Sequence, residues 1–476
     1  MAMTETVQKL LVGGEWYETG NTIDVTSPYD GSVVGRVAFG GGDDARRAID
    51  AAEVAMRSPL PAHRRAAILD RVAELLRERR EEFARTIAME AGKPITTAGI
   101  EVDRAVQTIT FSALEARRLT GETVAMDAHP AGEGKAGLIL RLPIGIVAAI
   151  SPFNFPLNLV CHKVGPGFAA GCAVVLKPAG ATPLSALLLA RAFADAGQPA
   201  GWLNAIVGKS SEIGDVIAED PRVKMITFTG SSQVGWGIRQ HAHKKKVSLE
   251  LGNSTPLIVL ADADLEKAAT AIAANGYAFA GQSCISVQRV YVEDSAHDAL
   301  IEKLVPKVEA LKVGDPLDPE TQVGPVIDTE NRDRIASWVD AAVSSGAKLL
   351  AGGVVGDDGL LRPTLLDEVS LDMAVACNEV FGPVVAIARV SNLDEAIERA
   401  NGTEYGLQAG VFTQDITKAM RAARELEFGG VTLNEAPTYR ADQMPYGGVK
   451  ESGNTREGPK FAVQEMTEPR MVVIAL

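Results

Sequence analysis

The sequence predicts an α/β chain in which a doubly wound parallel sheet is followed by a second alternating region. Three observations predict it. Between Gly145 and about Leu260, apolar runs of four to six residues alternate with helical stretches, the pattern of parallel strands joined by helical crossovers. From Asp262 to Val449 the alternation resumes with longer helices. At 476 residues, 46% hydrophobic and 23% charged, the chain is long enough to bury a sizeable core in two or three structural units.

The opening Leu10-Leu-Val-Gly-Gly-Glu-Trp16 is an apolar run, a Gly-Gly turn and an aromatic restart, which predicts a hairpin. Asp43 and Asp44 offer N-caps for a helix over 45–58. Ile68, Val72, Leu75, Leu76, Phe83 and Ile87 recur mostly at three- and four-residue steps, which predicts one longer helix that Gly92-Lys-Pro94 stops. Residues 101–118 read as another helix, carrying Arg104 and Phe111. Candidate strands then lie at 146–150, 173–177, 203–207, 225–229, 248–251 and 257–260, with helices starting near Leu157, Pro183, Ser210 and Ser231. In the second region the candidate strands are 287–292, 384–390 and 409–412, and the helices 265–279, 296–311, 329–345 and 393–401. The tail ends in the β-prone Met471-Val-Val-Ile474, an extended apolar run that needs a sheet to pair with.

A net charge of −14 favours solubility and argues against a nucleic-acid surface. The tract His241-Ala-His243-Lys-Lys-Lys246 reads as a solvated basic helix end, because no further Cys or His stands at ligand spacing; no metal is expected. Cys161, Cys172, Cys284 and Cys377 show no CxxC spacing, so reduced thiols in a cytoplasmic protein are expected. The start Met1-Ala-Met-Thr-Glu-Thr-Val lacks a basic segment before an apolar run. No stretch of about 18 uncharged apolar residues follows, so neither an export signal nor a spanning helix is expected.

Two segments carry the chemistry. Ser248-Leu-Glu-Leu-Gly252 supplies a carboxylate able to activate water, and Gly281-Gln-Ser-Cys284 a thiol able to attack a carbonyl, the two groups needed to make and hydrolyse a thioester. A third, Ser151-Pro-Phe-Asn-Phe-Pro156, adds an amide donor. In this order the three resemble the aldehyde dehydrogenase superfamily, along nearly the whole chain. The resemblance implies a Rossmann-type dinucleotide-binding domain from 1–122 and 142–252, an α/β catalytic domain from 253–449, and a small β oligomerisation segment from 123–141 and 450–476. It also implies NAD(P)+-dependent aldehyde oxidation in a homodimer or homotetramer, with no nucleic-acid or membrane partner.

By the same resemblance Cys284 is the nucleophile, Glu250 the general base of deacylation, and Asn154 an oxyanion donor beside the Cys284 N–H. One such donor is worth about 3 kcal/mol of transition-state stabilisation. A free thiol has a pKa of about 8.5, so the Cys284 loop must supply dipoles or cations to lower it. Glu250 favours water as acyl acceptor over coenzyme A or phosphate, and the presence of both Cys284 and Glu250 argues against a catalytically idle structural relative. The chain departs from the family where Asn253-Ser254 replaces Gly-Lys, where Phe153 replaces a tryptophan, and where Asn378 stands for a frequent Glu.

For the cofactor, the resemblance assigns Lys177 and Ala179 to the adenosine ribose and Phe228-Thr229-Gly230-Ser231 to the pyrophosphate. It assigns Glu379 to the nicotinamide ribose and Phe381 to the nicotinamide, with Ile150, Ser151, Phe153 and Leu251 alongside. Gly180 stands where NAD-preferring relatives carry a Glu that repels a 2′-phosphate, so NAD and NADP both remain open. The segment from Asn434 to Lys450 resembles the lactaldehyde dehydrogenase-like branch. Arg104, His162 and Arg440 fall where relatives line the entrance for phosphorylated or phosphonate aldehydes, with Ser283 where those relatives often carry arginine. A small polar or anionic aldehyde is expected, with structural roles for the three basic residues as the alternative.

Overall fold

The computed structural model describes residues 6–476; the five before them, read above as lacking an export signal, lie outside it. Two seven-stranded sheets carry the architecture. In the first, Ile146–Ile150 pairs in parallel with Val223–Thr229 and Val174–Lys177, and Lys246–Glu250 and Leu203–Ala205 extend the two sides. The expected hairpin, Leu10–Val12 with Glu15–Tyr17, closes one edge antiparallel. Helices Asn158–Ala170, Leu184–Asp195, Ser210–Glu219 and Ser232–His241 connect the parallel strands, where the sequence places them.

The second sheet centres on Pro256–Val259 and Arg289–Glu293, flanked by Gln408–Phe412 and Gly430–Leu433 on one side. Val384–Val390, Thr364–Asp367 and an antiparallel edge, Lys348–Ala351, complete the other side. The run expected at 257–260, grouped above with the first alternation, therefore belongs to this sheet. A buried four-residue apolar run has no period that says which sheet it joins. A smaller sheet pairs Thr467–Ala475 with Lys135–Pro143 and Glu122–Val124, giving the apolar tail the partner it needs.

Three helices differ from expectation. The first spans Gly42–Met56, so Asp43 and Asp44 lie in its opening turn; Gly41 N–H donates to Asp44 Oδ2 at 2.9 Å. A carboxylate there satisfies an orphan donor and meets the positive end of the helix dipole. The long helix to Gly92 is two, Ala62–Glu78 and Arg80–Ala91, broken at Arg79 (φ −106°, ψ 22°) and ended by Gly92 at φ 67°. The next begins at Ile95 rather than 101, its β-branched Ile95-Thr-Thr start masking the helix.

That helix, Ile95–Arg118, brings Glu101, Arg104 and Thr108 to one face at three- and four-residue spacing. Glu101 Oε1 accepts from the N–H groups of Leu157 and Asn158 at 3.0 and 3.1 Å, fixing the start of helix Asn158–Ala170. This second helix is buried all round and carries His162 and Lys163. Among the described residues no helix is long and apolar enough to cross a membrane.

Candidate active site

Helix Leu265–Tyr277 runs into a tight turn in which Phe279, Ala280 and Gly281 all take left-handed backbone, at φ 50°, 52° and 68°. Each non-glycine residue there costs about 1 kcal/mol or more, so the turn must be held from outside. Gln282 holds it. Its Nε2 donates to the carbonyls of Phe279 and Pro325, and its Oε1 accepts from Ile327 N–H at 2.8 Å. At Gly281 a Cβ would lie 2.1 Å from the Gly382 carbonyl oxygen, so only glycine fits. Beneath the turn the fully buried Lys93 pairs with Glu101 and sets its ammonium 3.7 Å from the Phe155 ring centre and 4.5 Å from that of Phe279. Removing one member of such a pair costs about 3–5 kcal/mol, so it locks the turn firmly.

Cys284 emerges from this turn partly exposed, with Sγ 3.1 Å from the Tyr446 hydroxyl. Burial pushes its thiol up to about 12, while the hydrogen bond to Tyr446 and the charge of Arg440 pull downward. The net shift is upward, so the lowering the sequence asks of the loop is not met in the resting site; what opposes burial comes instead from residues 440 and 446, outside the loop. Asn154 Nδ2 donates to the Gln282 carbonyl at 3.0 Å, leaving its second N–H uncommitted beside the same turn. The Cys284 N–H joins no hydrogen bond among the described residues.

Glu250 ends strand Lys246–Glu250, in register with Thr229 on one side and bridged to Gly453 on the other. It is buried, and neither carboxylate oxygen has a partner among the described residues. Burial first, then the Glu457 carboxylate, raise its pKa well above the ordinary range, against the pull of Arg440 and Lys163. Gly447 packs directly on it, since a Cβ there would lie 2.6 Å from Glu250 Oε1.

Behind these groups runs a buried polar wall. Arg440 donates to Glu457 Oε2 at 2.9 Å, and Lys163 to Glu457 Oε1 at 3.1 Å. Against burial, these two cations hold the Glu457 carboxyl at about 2. Arg104 makes two bonds to Asp442, at 2.9 and 3.2 Å, and Asn158 Nδ2 a third at 3.1 Å. His162 Nε2 lies 3.0 Å from Asp442 Oδ1. Burial opposes ionisation of Asp442, but the His162 hydrogen bond and the Arg104 charge hold it well below the usual carboxylate range. His162 itself is kept neutral by burial and by Arg440. The same Nε2 also lies 3.3 Å from Arg440 Nη2. His162 Nδ1 and Arg440 Nε stay buried and unpartnered among the described residues.

The structure thus brings His162 and Arg440 together, and links Arg104 to them through Asp442. Ser283 precedes the nucleophile, its hydroxyl 3.4 Å from Ile285 N. Sequence reasoning missed Tyr446, Glu457, Asp442 and Lys163. Tyr446 and Asp442 lay inside the segment from Asn434 to Lys450 singled out for its resemblance; Lys163 and Glu457 lay in none.

A cleft of about 530 Å³ opens at the carboxyl ends of the first sheet's strands, lined among others by Ile150, Ser151, Lys177, Ala179, Gly180 and Phe228. This is where doubly wound sheets hold dinucleotides. Ser210, Asp215 and His241 join the lining without having been foreseen. Several polar groups near it lack partners among the described residues: Ser151 Oγ, Thr229 Oγ1 and Trp236 Nε1. Lys177 Nζ donates to the Pro178 carbonyl at 3.3 Å, its pKa lowered by burial. Gly180 faces open space, as a 2′-phosphate would require. Gly230 N–H donates to the Glu250 carbonyl at 3.1 Å, and Ser231 stands at the N-cap position of helix Ser232–His241 without a side-chain capping bond. Leu251 packs against Gly235. Phe153 and Phe381 meet edge to face, centroids 5.7 Å apart. Glu379 accepts from Asn253 N–H at 3.0 Å; burial raises its pKa to about 7 despite that bond and Arg334. The lining fits a nicotinamide dinucleotide.

The model of the aldehyde dehydrogenase family matches residues 16–472. The chain belongs to that family. Its similarity includes the lactaldehyde-like branch expected from the sequence. The 3-sulfolactaldehyde dehydrogenase of Priestia megaterium is 47% identical over 467 residues, 98% of each chain. The lactaldehyde dehydrogenase of Methanocaldococcus jannaschii is 40% identical, over 98% of this chain and 100% of that one. Among solved structures, the NADP-dependent glyceraldehyde-3-phosphate dehydrogenase of Bacillus halodurans, complexed with NADP, superposes with a TM-score of 0.96. It is 39% identical and covers 99% and 100% of the two chains. Family membership agrees with the α/β architecture and with the cleft.

Proposed function

We propose that the chain oxidises a small polar or anionic aldehyde to the carboxylic acid, with NAD or NADP, through a Cys284 thioester. Cys284 Sγ attacks the carbonyl carbon, and Asn154 Nδ2 and the Cys284 N–H receive the developing oxyanion. NAD(P)+ bound in the cleft supplies the hydride acceptor. Glu250, once ionised, takes a proton from water, and the hydroxide so formed cleaves the thioester. Lys177, Ala179, Phe228, Thr229, Gly230 and Ser231 would hold the adenosine and pyrophosphate, and Glu379 and Phe381 the nicotinamide side, with Ile150, Ser151, Phe153 and Leu251 alongside. Gly180 leaves room for a 2′-phosphate.

One observation carries the substrate class. In the wall behind Cys284, three cations, Arg104, Lys163 and Arg440, face two carboxylates that they hold ionised, Asp442 and Glu457, while burial disfavours the charged forms of Glu250 and His162. The excess positive charge favours an anionic substrate. A relative named for 3-sulfolactaldehyde, an anionic hydroxyaldehyde, agrees. The test follows reduced-nicotinamide absorbance with 3-sulfolactaldehyde, lactaldehyde, glyceraldehyde 3-phosphate, phosphonoacetaldehyde, succinic semialdehyde and propanal, each with NAD+ and NADP+. At least one anionic aldehyde is expected to exceed propanal by tenfold or more in kcat/KM, about 1.4 kcal/mol. Arg104→Ala and Arg440→Ala should shrink that ratio, and an unchanged ratio in both would sink the assignment. Product formed only with coenzyme A or phosphate would instead indicate acyl transfer.

The same reading divides the chain into a dinucleotide-binding domain (1–122, 142–252), a catalytic domain (253–449) and an oligomerisation segment (123–141, 450–476), in a cytoplasmic homodimer or homotetramer. Its support is the sheet of Thr467–Ala475, Lys135–Pro143 and Glu122–Val124, which exposes Leu138, Leu140, Met471, Val473 and Ile474. Sedimentation equilibrium that found only monomer would rule the assembly out.

A further inference from the structure

Tyr446 lies in the loop Met444-Pro-Tyr446-Gly-Gly448, far in sequence from the nucleophile, yet its hydroxyl is 3.1 Å from Cys284 Sγ. The ring is 4% exposed. Its backbone is pinned: Tyr446 N–H donates to the Glu457 carbonyl at 3.1 Å, and Glu457 N–H returns a bond to the Tyr446 carbonyl at 2.6 Å. On one face of the ring the Arg440 guanidinium carbon sits 3.8 Å from the centroid, itself held by Glu457. Phenylalanine would fill the same volume, so packing alone does not account for the hydroxyl. Among the described residues the thiol is its one hydrogen-bond partner, and a buried hydroxyl without a partner is costly.

We propose that Tyr446 is a positioning residue for Cys284, donating its hydroxyl hydrogen to the thiolate while the stacked Arg440 makes the surroundings more favourable to that anion. The proposal rests on the reading of Cys284 as nucleophile. A hydrogen bond to a charged acceptor is roughly twice as strong as one between neutral groups, so the contact favours thiolate over thiol. A cation over the ring stabilises negative charge at its rim. Four charged or titratable groups face the sulfur: Tyr446 and Arg440 favour its ionisation, and Glu379 and Glu250 oppose it. Tyr446 in turn faces Cys284, Arg440 and Glu250, and burial keeps its own proton in place, so it remains the donor.

The experiment is alkylation of Cys284 by iodoacetamide as a function of pH, read on the Cys284 peptide by mass spectrometry, in the full-length chain and in Tyr446→Phe. This change removes one oxygen and leaves the ring under Arg440. The labelling midpoint is expected to rise by about one pH unit, hence roughly tenfold slower labelling below both midpoints. Identical midpoints overturn the inference. Wild-type protein that labels at Cys377 while Cys284 stays unmodified overturns the nucleophile reading, and the inference with it.

Discussion

Cys284→Ala is expected to reduce aldehyde oxidation by at least ~10⁴-fold, to a level indistinguishable from background, with the fold intact. Every later step works on the carbon that this sulfur captures. Without the covalent bond the oxyanion donors at Asn154 and Cys284 N–H have no tetrahedral centre to stabilise, and Glu250 has no thioester to hydrolyse. The side chain packs against a small cluster of Ile285, Leu407 and Tyr446. Its loss therefore removes about one methylene-sized contact, near 0.8 kcal/mol, too little to unfold the chain. The other cysteines provide the control. Cys161 and Cys172 are wholly buried, their thiols raised by burial, that of Cys172 to about 11. Alanine at either should leave turnover within a fewfold of wild type. More than a hundredth of wild-type turnover in Cys284→Ala, measured as reduced nicotinamide, would show that the route is not covalent through this residue.

What the sequence made legible follows from how locally each feature is encoded. Strands such as Ile146–Ile150 and Val384–Val390 are buried apolar runs with turn signals at their ends, so their position was readable from neighbours alone. Lys348–Ala351, Thr364–Asp367 and Gly430–Leu433 are four-residue strands whose pairing depends on distant partners, and nothing local marks them. In the site, Cys284, Glu250 and Asn154 stood out through their motifs. Lys163, Asp442 and Glu457 did not, because one charged residue has no pattern of its own. Lys163 lies in a helix buried all round, and its one carboxylate partner is 294 positions away. The basic residues Arg104 and Arg440 were visible, but not the carboxylates that hold them. Those pairings decide how much positive charge is left for a ligand.

Glu250→Gln is expected to separate the two halves of the reaction. The glutamine is isosteric, and burial and Glu457 push the carboxyl it replaces toward its neutral form. Folding and acylation should therefore survive. A stopped-flow trace should show a burst of about one reduced nicotinamide per site, followed by steady-state acid release slowed about 10²–10⁴-fold, the usual share of a general base. The pH dependence has a definite sign. The base must be ionised to act, so wild-type acid release should rise with pH through the raised pKa of Glu250, and that limb should be absent in the variant. Stability runs the opposite way: a carboxyl raised by folding contributes stability below its unfolded pKa of about 4.3, and that stability is lost as pH rises through the folded value. Wild type should thus lose stability relative to Glu250→Gln on going from acid to neutral pH, checked by urea unfolding at several pH values. Undiminished steady-state turnover in the variant would take the general-base role from Glu250, and a missing burst would place the residue in acylation as well.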